Sequence, residues 1–600
     1  MENQNRIGAL VPYLILALGL VALVMRCATS FCWVDESFYL SLADQLYRGG
    51  APFVDEWHPA QVYAPLLLPL YALYVSATGG TDGIVYFFRL AYVLLSFVVA
   101  LFAYRILSRN FNRYAVLAIC ISYLFYVRAN IQGMSYYSLC TTFFFCGLLA
   151  AWCTYQRARV DDGSASWSRI VVPLLSGAFF ALAIVCNPYV IVAVFIACLV
   201  ALIVAIKRKN MSIFTPFAWG IAGAAIVTIL YLMFILGRSE PGDIAANIGN
   251  VLSSHDENLT LMQRIPNYLS FLPVSRIGFV LTCVLCVFLV VWRALGKELN
   301  SRLRLACTIV AFVGLCLGVW AAIGSIHANK VFIVFAEFAL PLYLISDDLH
   351  LGAHPEVCLF WIPGLLLSLV WQFSSNTQIC GITIGYSIVF MGAVLTAFGF
   401  FRPLLAQDNA AIGRTCAALC GVAIVVVLGV TINVRITAVY SDAPSDELTA
   451  TIETGPAAGL TTTPEHKTQY EAVEDLVAHV DTDGGIWIEP MAPWAYLEAK
   501  GSCAAVSTWN TFMDEADAQT YYTTHSQPEW IVVTNDDTGE AVNYVMGKVH
   551  KFPALEMYED YNAQLRSDLD ASSDYAPVYS NDWGVVYKRA SKASYIGTAK

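Results

Sequence analysis

The stretch VDESFYLSLADQLYRGGAPFVDEWHPAQVY, residues 34–63, follows directly on an apolar segment and contains two Asp-Glu pairs, Asp35-Glu36 and Asp55-Glu56. The preceding run, from about Leu10 to Met25, has the length and composition of a membrane-spanning helix. One basic residue precedes it and no small-residue cleavage site follows it, which favours a retained span over a signal peptide. Four carboxylates therefore lie beside a membrane surface, and the topology decides which surface that is.

The composition of the whole chain indicates a polytopic membrane protein. The sequence has 600 residues, of which 58% are hydrophobic and 13% charged; its mean hydropathy is +0.60. A soluble globular protein is roughly 25% charged. We predict a polytopic α-helical membrane protein with about thirteen transmembrane helices of ~20 residues each. The predicted spans begin near residues 8, 84, 114, 136, 170, 188, 212, 276, 304, 330, 357, 381 and 412.

Basic residues predict the orientation of these spans. Lys and Arg are concentrated in the short loops 104–113, 157–169, 207–210 and 293–304, which the positive-inside rule assigns to the cytoplasm. One predicted inner loop, residues 346–356, has no Lys or Arg and departs from the rule. With an odd number of spans and a cytoplasmic N-terminus, the long loops 28–83 and 237–275 and the C-terminal region are extracytoplasmic. The predicted location is the cell membrane.

The C-terminal region differs in charge from the rest of the chain. Residues 441–600 contain 26 acidic and 9 basic side chains, whereas the preceding 440 residues contain 19 and 25. Helical and strand-like patterns alternate in this region, which predicts a small extracytoplasmic α/β domain. The predicted organisation is a transmembrane domain over 1–434, a polar linker over 435–467 and a soluble domain over 468–600. Scattered Lys and Arg form no patch for nucleic acid.

The sequence gives little sign of a cofactor. Most of the seventeen cysteines lie inside apolar spans, where they behave as small hydrophobes. Cys283 and Cys286 have a metal-type spacing but lie within an apolar run, where helix packing explains them better. The C-terminal region has neither a glycine-rich phosphate loop nor a serine-nucleophile elbow. The sequence therefore assigns no residues to a metal site and indicates no particular cofactor; a divalent metal stays open as an alternative.

The first outer loop has a helical pattern with acids at its start. From Asp35, apolar and aromatic residues fall on one stripe and the pattern ends at Gly49-Gly50, as in an amphipathic helix at the membrane interface. Acids in the first turn also interact favourably with the helix dipole, which is the structural alternative for Asp35 and Glu36. For Asp55 and Glu56 the alternative is solvated charge in a loop.

The order of these motifs resembles a known family. A first span, an outer-loop Asp-Glu, an aromatic-rich helix ending in Gly-Gly-Ala-Pro and an acid-x-His-Pro before a proline-rich segment resemble polyprenyl-phosphate-dependent glycosyltransferases of the C-type superfamily. These include the bacterial lipid A aminoarabinose transferases and the protein O-mannosyltransferases of family 39. The resemblance covers the first 150 residues best and extends to the layout of spans and tail.

The resemblance implies a reaction and roles for the four acids. The donor would be a sugar on a polyprenyl phosphate, the acceptor a lipid, glycan or protein of the cell envelope, and membrane lipids would surround the site. The acceptor hydroxyl must lose its proton as it attacks the anomeric carbon, so a carboxylate is needed as general base. Asp35 matches the family's first-loop base and Glu36 is its motif partner. Asp55 or Glu56 matches a second acid that orients the acceptor or the base.

The phosphate of such a donor needs cationic partners. Six cations fall at predicted outer ends of spans, where snorkelling to the interface is the structural alternative. They are Arg26, Arg89, Arg128, Arg276, Lys330 and Arg435. The resemblance favours Arg128 for the donor phosphate, with Arg276 and Lys330 next and His58 as a further substrate-binding residue. The second outer loop, RANIQGMSYYS, lacks the acid that relatives often have there, so this loop supplies no third carboxylate.

Two other functions remain open at this point. A secondary transporter would show paired half-repeats and charges near the membrane midplane, whereas this chain has no evident repeat and its charges gather at one face. A polymerase or ligase of envelope glycans with pyrophosphate-linked donors is the other alternative. The sequence names neither the sugar nor the acceptor.

Overall fold

The computed structural model describes residues 2–590 with several gaps. The gaps are 127–129, 160–165, 208–213, 254–261, 263–274, 324–329, 346–353, 375–383, 406–409, 482–483, 490–491, 510–518, 535–541, 546–547 and 552–564. Up to residue 437 the described chain is helical, and a strand-containing C-terminal region follows.

Helices α1–α16 make up the first part of the chain. They are α1 Glu2–Arg26, α2 Asp35–Tyr47, α3 Ala64–Thr78, α4 Ile84–Leu107, α5 Arg113–Phe125, α6 Tyr136–Arg159, α7 Ser166–Cys186, α8 Val190–Lys207, α9 Phe214–Leu236, α10 Pro241–Ser253, α11 Arg276–Ala294, α12 Ser301–Ile323, α13 Val331–Ile345, α14 Ile362–Ser374, α15 Tyr386–Leu405 and α16 Ala410–Thr437. A 3₁₀ turn, Pro59–Tyr63, leads into α3, and a π-helical turn, Val357–Trp361, leads into α14.

The apolar helices fit the predicted fold class. Within the described residues, ten helices are long and apolar enough to cross a membrane by length and composition, and four shorter helices are also apolar. Each of the thirteen predicted spans contains one of these helices. Large apolar side chains such as Phe195 and Met233 are exposed on the outside of the helices, as lipid contact requires. The predicted polytopic helical membrane fold is confirmed.

One apolar helix, formed by the 3₁₀ turn and α3, is not among the thirteen predicted spans. It lies along one face of the protein. Its two ends both approach the C-terminal region: the His58 ring lies 6.3 Å from that of Trp509, and the Thr81 hydroxyl donates to the Leu497 carbonyl at 3.2 Å. A spanning helix would place its ends on opposite sides of the bilayer. Instead α3 packs on α2, where the Tyr71 hydroxyl donates to Asp44 Oδ1 at 2.8 Å.

Several ends of the spanning helices meet on the face that carries residues 28–83, which we call the loop face. The end of α1, the start of α4, the segment between α5 and α6, and the end of α16 contribute Arg26, Arg89, Asn130 and Arg435 to one hydrogen-bonded cluster. The segment after α9 also reaches this face, since the Ser239 hydroxyl donates to the Pro52 carbonyl at 2.7 Å. These helix ends therefore share the face that carries the first loop.

The C-terminal region contains a small mixed sheet. Its elements are β1 Ala450–Thr451, β2 Thr461–Thr462, α17 Pro464–Ala478, β3 Ile486–Glu489, α18 Pro493–Glu498, β4 Trp530–Thr534, β5 Val542–Val545, β6 Lys548–Lys551, β7 Tyr575–Asn581 and β8 Gly584–Arg589. The four-stranded sheet has the order β3-β4-β8-β7, with β3 and β4 parallel and the other pairs antiparallel. The buried strand β4 lies in its centre, which explains its continuous apolar run.

The segment between α16 and α17 is held to the first loop by hydrogen bonds. The buried Asp442 accepts from the Phe31 N–H at 2.8 Å, and Thr461 N–H donates to the Ala28 carbonyl at 2.8 Å. Helix α17 begins at Pro464, capped by the Thr463 hydroxyl, inside the range that the sequence assigned to the linker. These contacts fix the C-terminal region against the first loop.

The placement of the first loop and the C-terminal region on one face gives a topological prediction. Single cysteines introduced by Ser76→Cys and Ser573→Cys at exposed positions, in a background without other accessible cysteines, should both react with an impermeant maleimide in intact cells. A cysteine introduced by Asn110→Cys, in a predicted cytoplasmic loop, should label only after permeabilisation. Labelling of Ser76→Cys and Ser573→Cys from opposite sides would contradict the arrangement.

Candidate active site

Helix α2 presents the first acid pair at its N-terminus. Asp35 and Glu36 occupy its first turn, and Val34 at the N-cap supplies no side-chain cap. Carboxylates here complement the positive end of the helix dipole. The two side chains have different surroundings, because Asp35 is half-buried and Glu36 is only 4% exposed.

Glu36 forms a buried ion pair with Arg89 of α4. Both Arg89 Nε, at 2.9 Å, and Nη2 donate to Glu36 Oε2, and the Arg89 side chain is 1% exposed. The other oxygen, Oε1, accepts from the backbone N–H groups of Gln132 at 2.6 Å and Gly133 at 2.9 Å. Four donors thus occupy the carboxylate, which ties α2 to α4 and to the segment before α6.

Arg89 also holds the chain between α1 and α2. Its Nη1 donates to the carbonyls of Cys27, Thr29 and Ser30 at 2.9, 3.1 and 2.9 Å. A lysine cannot make this set of contacts, because the planar guanidinium carries five donors in fixed directions. One arginine therefore sets the position of the first turn of α2.

Two further buried arginines, Arg26 and Arg435, lie beside this ion pair. Arg26 Nη2 donates to the Ala438 carbonyl at 2.7 Å, and Arg435 Nη1 donates to Asn130 Oδ1 at 2.7 Å. Within the described residues, neither has a carboxylate at ion-pair distance, and the Nε of each is buried without a hydrogen-bond partner. With Arg89 they form a group of three guanidinium groups and one carboxylate, which we call the arginine cluster.

The arginine cluster therefore has an excess of positive charge. A buried charge is costly unless it is paired, so an anion that enters here would be stabilised. The segment that follows Arg435 leads to Tyr440, whose hydroxyl donates to Asp35 Oδ2. Tyr440, five residues after Arg435, thus connects the arginine cluster to the Asp35 carboxylate.

Asp35 is surrounded by tyrosines. Tyr39, one turn further along α2, donates to Asp35 Oδ1 at 3.3 Å. The Tyr39 ring contacts those of Tyr63 and Tyr136 at centroid distances of 6.0 and 5.6 Å, and the buried Tyr63 hydroxyl has no hydrogen-bond partner in the described part of the chain. The rings of Tyr39, Tyr63 and Tyr136 form an aromatic wall. The Asp35 carboxylate lies at the edge of this wall and can act as a proton acceptor there.

The second acid pair is divided between a buried and an exposed position. Glu56 is 4% exposed; it accepts from the His58 N–H at 2.8 Å and from Gln45 Nε2 at 3.1 Å. The Asp55 side chain is 42% exposed and lies 3.6 Å from His525 Nε2 of the C-terminal region. Both acids therefore lie where the first loop meets the C-terminal region.

His58 ends this loop as the cap of the 3₁₀ turn. Its Nδ1 accepts from the Ala60 N–H at 3.0 Å, which leaves Nε2 to carry the proton of the neutral ring. The ring packs edge-on against Phe38 of α2 at 4.8 Å. His58 is half-buried and faces the same aromatic surface as the start of α2.

Burial makes Glu56 sensitive to pH. Burial raises the pKa of Glu56 to about 7, against hydrogen bonds from Ser507, His58 and Gln45 that lower it. The folded protein binds the Glu56 proton more tightly than the unfolded chain does, so protonation of Glu56 stabilises the folded state at low pH. This stabilisation is lost as the pH rises towards 7. A pKa difference of one between the folded and unfolded chain is equivalent to about 1.4 kcal/mol. We expect Glu56→Gln to flatten the fall in Tm between pH 5 and pH 8, measured by thermal unfolding of the full chain.

A matched substitution distinguishes this effect from general loop charge. Glu240→Gln changes an exposed acid outside the first loop and should leave the pH dependence of Tm unchanged. An unchanged slope in Glu56→Gln would contradict the assignment.

The other predicted substrate-binding residues lie apart in sequence from this group. Arg276 is exposed as the first residue of α11, and Lys330 is half-buried directly before α13. Arg128 lies outside the described residues. Among the residues that are described, no group of three or more His, Cys, Asp and Glu side chains could hold a metal ion.

Backbone strain marks the same region. Four non-glycine residues of the described chain have positive φ: Ser30, Phe53, Asn130 and Ser441. Ser30 and Asn130 contact the arginine cluster, and Ser441 follows Tyr440. Such conformations cost on the order of 1–3 kcal/mol each and concentrate at functional sites.

The sequence named several of these residues but not their combination. Arg26, Arg89 and Arg435 belong to the six cations at predicted span ends, yet no local pattern separates them from Arg276. Tyr440 and His525 carry no local signal, because their partners Asp35 and Asp55 are more than 400 positions away. A contact of this kind is visible only in the folded chain.

Solved structures resemble the fold over nearly the full chain. They include two crystal structures of ArnT from Cupriavidus metallidurans, one in the apo state and one bound to undecaprenyl phosphate. The apo structure has 10% identity and a TM-score of 0.41, with 98% of each chain covered. The bound structure has 13% identity and a TM-score of 0.44, with 98% of this chain and 99% of that chain covered.

The structural neighbours are C-type glycosyltransferases. ArnT is an aminoarabinose transferase. No protein-family model matches the sequence, and no curated protein matches it.

Proposed function

We propose that this protein is an integral-membrane glycosyltransferase. It moves a sugar from a polyprenyl-phosphate donor to a lipid, glycan or protein acceptor of the cell envelope, on the extracytoplasmic face. The observation that carries the proposal is the half-buried Asp35 carboxylate next to a buried cluster of three arginines with a single carboxylate. A general base and an anion site side by side are what transfer from a sugar phosphate requires.

Asp35 is the general base in this proposal. One of its carboxylate oxygens takes the proton of the acceptor hydroxyl as the hydroxyl oxygen attacks the anomeric carbon. The bond from that carbon to the phosphate oxygen breaks, and the electron pair leaves with the lipid phosphate. The hydrogen bonds from Tyr39 and Tyr440 orient the carboxylate towards the aromatic wall, where the sugar lies.

The arginine cluster stabilises the donor phosphate. Arg26 and Arg435 lack a carboxylate partner in the described chain, so the single negative charge of the donor phosphodiester, and the second charge that the leaving lipid phosphate gains, would compensate their charge. Guanidinium groups suit this task because they bind phosphate through two parallel hydrogen bonds. Arg128, two positions before Asn130, is proposed to join them, and Arg276 and Lys330 to contact the headgroup or the lipid chain nearer the membrane surface.

The remaining acids position the reacting groups. Glu36 has all its described hydrogen bonds to Arg89 and to the backbone before α6, so we assign it the role of positioning Asp35. Asp55, Glu56 and His58 connect the first loop to the C-terminal region and are proposed to orient the acceptor. In this assignment all four acids belong to the site, and Asp35 alone is the base.

A panel of donors tests the proposed function. Purified protein in nanodiscs is incubated with polyprenyl phosphates that carry different sugars, and release of the lipid phosphate is measured. We expect release from at least one donor. Absence of release from every donor, together with uptake of a solute into vesicles, would favour the transporter instead.

The arginine cluster gives a second prediction. Arg435→Lys should weaken binding of polyprenyl phosphate roughly tenfold or more despite the retained charge, because a charge-assisted hydrogen bond contributes ~1.5–3 kcal/mol. Arg128→Lys is expected to act in the same direction. Arg109→Lys, an exposed residue at the predicted cytoplasmic face, is the control. Equal affinities in Arg435→Lys and Arg109→Lys would remove Arg435 from the phosphate site.

A further inference from the structure

A second site lies between the end of α2 and the C-terminal region. A cavity of about 1050 Å³ is open there, lined by residues of α2, of the first loop and of the sheet edge. Small-molecule sites range from ~300 to 1,000 Å³, so this cavity is large enough for an extended ligand. It is separate from the arginine cluster, since none of the three arginines lines it.

The lining is charged but nearly balanced. It contains four carboxylates, among them Asp55 and Glu529, and three permanent cations, Arg48, Lys588 and Arg589. A hydrogen bond to Asp55 raises the pKa of His525. This favours the positively charged imidazolium and brings the net charge of the lining closer to zero. An anion or a cation would meet as much repulsion as attraction in such a cavity, whereas a neutral ligand with many hydroxyl groups finds acceptors and donors on every side.

The walls of the cavity are held in place by contacts between loop and C-terminal region. Arg48 Nη1 donates to the carbonyls of Lys500 and Gly501 at 3.1 and 3.3 Å. The Tyr521 hydroxyl donates to the Asp55 carbonyl at 3.2 Å, and its ring stacks on His525 at 3.9 Å. The cavity is therefore formed before a ligand arrives, which lowers the entropic cost of binding.

Helix α2, which carries the proposed base Asp35, also contributes to the lining of the cavity. Gln45, which lines it, is ten residues after Asp35, about 15 Å along an α-helix at 1.5 Å per residue. A ligand that fills the cavity and also reaches Asp35 must be bulky enough for the cavity and extended over about 15 Å. A chain of several sugars meets both conditions, and a single hydroxyl on a lipid does not.

We propose that this cavity binds a neutral sugar chain and acts as a remote subsite for an oligosaccharide acceptor. The cavity as a glycan site stands on its own geometry, and its role as an acceptor subsite rests on the proposed function. The acceptor class is thereby narrowed to a glycan whose terminal hydroxyl reaches Asp35 while its inner sugars lie in the cavity.

Binding of immobilised glycans tests the site directly. Labelled full-length protein in nanodiscs is applied to an array of neutral and anionic oligosaccharides, from monosaccharides to octasaccharides. We expect retention on neutral chains of several sugars and none on monosaccharides. Ser526→Trp, which fills the cavity from an exposed lining position, should reduce binding at least tenfold, and Glu529→Gln should weaken it without adding bulk. Thr523→Trp, exposed nearby but outside the lining, should bind as the unaltered protein does.

The outcomes separate this site from the proposed function. No retention on any neutral oligosaccharide, retention only on anionic chains, or equal retention by Ser526→Trp would overturn the glycan site. Release of lipid phosphate from the donor to water is measured in parallel, and Ser526→Trp should keep it. If glycans bind but no donor is cleaved, the cavity remains a glycan site and the transferase proposal falls.

Discussion

Asp35→Asn is expected to reduce the rate of sugar transfer by about 10²–10⁴-fold, the range that loss of a general base produces. The amide has nearly the shape of the carboxylate, and its oxygen still accepts a hydrogen bond from Tyr39 or Tyr440. It cannot take the proton of the acceptor hydroxyl. Binding of polyprenyl phosphate should stay within a factor of a few of the unaltered protein, since the arginine cluster is unchanged.

The measurement is turnover of the purified variant with the donor that the panel identifies. Asp82→Asn, an exposed acid of the same loop, should retain full activity. Transfer by Asp35→Asn at near the unaltered rate would refute the assignment and leave Asp35 as a helix-terminal acid that only complements the dipole. Tyr440→Phe should fall between the two variants, because it removes one hydrogen bond from the base.

Glu36→Gln is expected to have the largest effect on stability. It leaves Arg89 buried at 1% exposure without its carboxylate, and loss of one partner of a buried pair costs about 3–5 kcal/mol. We expect a clear fall in Tm and loss of transfer, since Arg89 also holds the carbonyls of residues 27, 29 and 30. Arg89→Lys should behave similarly, because an ammonium group cannot replace the guanidinium contacts.

A double variant separates the charge from the packing. Glu36→Gln with Arg89→Met removes both charges and should regain part of the lost stability, since well-packed neutral side chains often replace a buried ion pair at little cost. Glu471→Gln, which breaks the half-exposed pair with Lys467 at 3.5 Å, should change Tm very little. A Tm of Glu36→Gln equal to that of Glu471→Gln would show that the ion pair does not hold the site together.

The spans were predictable because apolar length is a local property. A run of about twenty apolar residues reads as a membrane helix whatever its neighbours are, and each of the thirteen predicted segments contains an apolar helix. The exception is α3, which is apolar enough to span and lies within the predicted outer loop 28–83. Its position on the loop face depends on contacts of His58 and Thr81 with the C-terminal region.

The candidate site was predictable only in part. The Asp-Glu order at the start of α2 pointed to Asp35 and Glu36, because the residue types and their place after the first span carry the pattern. The roles of the two acids differ for a reason that the pattern does not contain. Successive residues of a helix point in directions about 100° apart, so one carboxylate meets Arg89 and the other meets Tyr440.

The sequence by itself determined the membrane class, the positions of the apolar helices and the acids at the start of α2, since each depends on residues close together in the chain. The tertiary structure alone decided which cations meet those acids. Arg26, Arg89 and Arg435 come from three helices and converge because the ends of α1, α4 and α16 pack on one face. Charge pairing acts through space over a few ångströms, so it follows the packing of the helices and not the order of the residues.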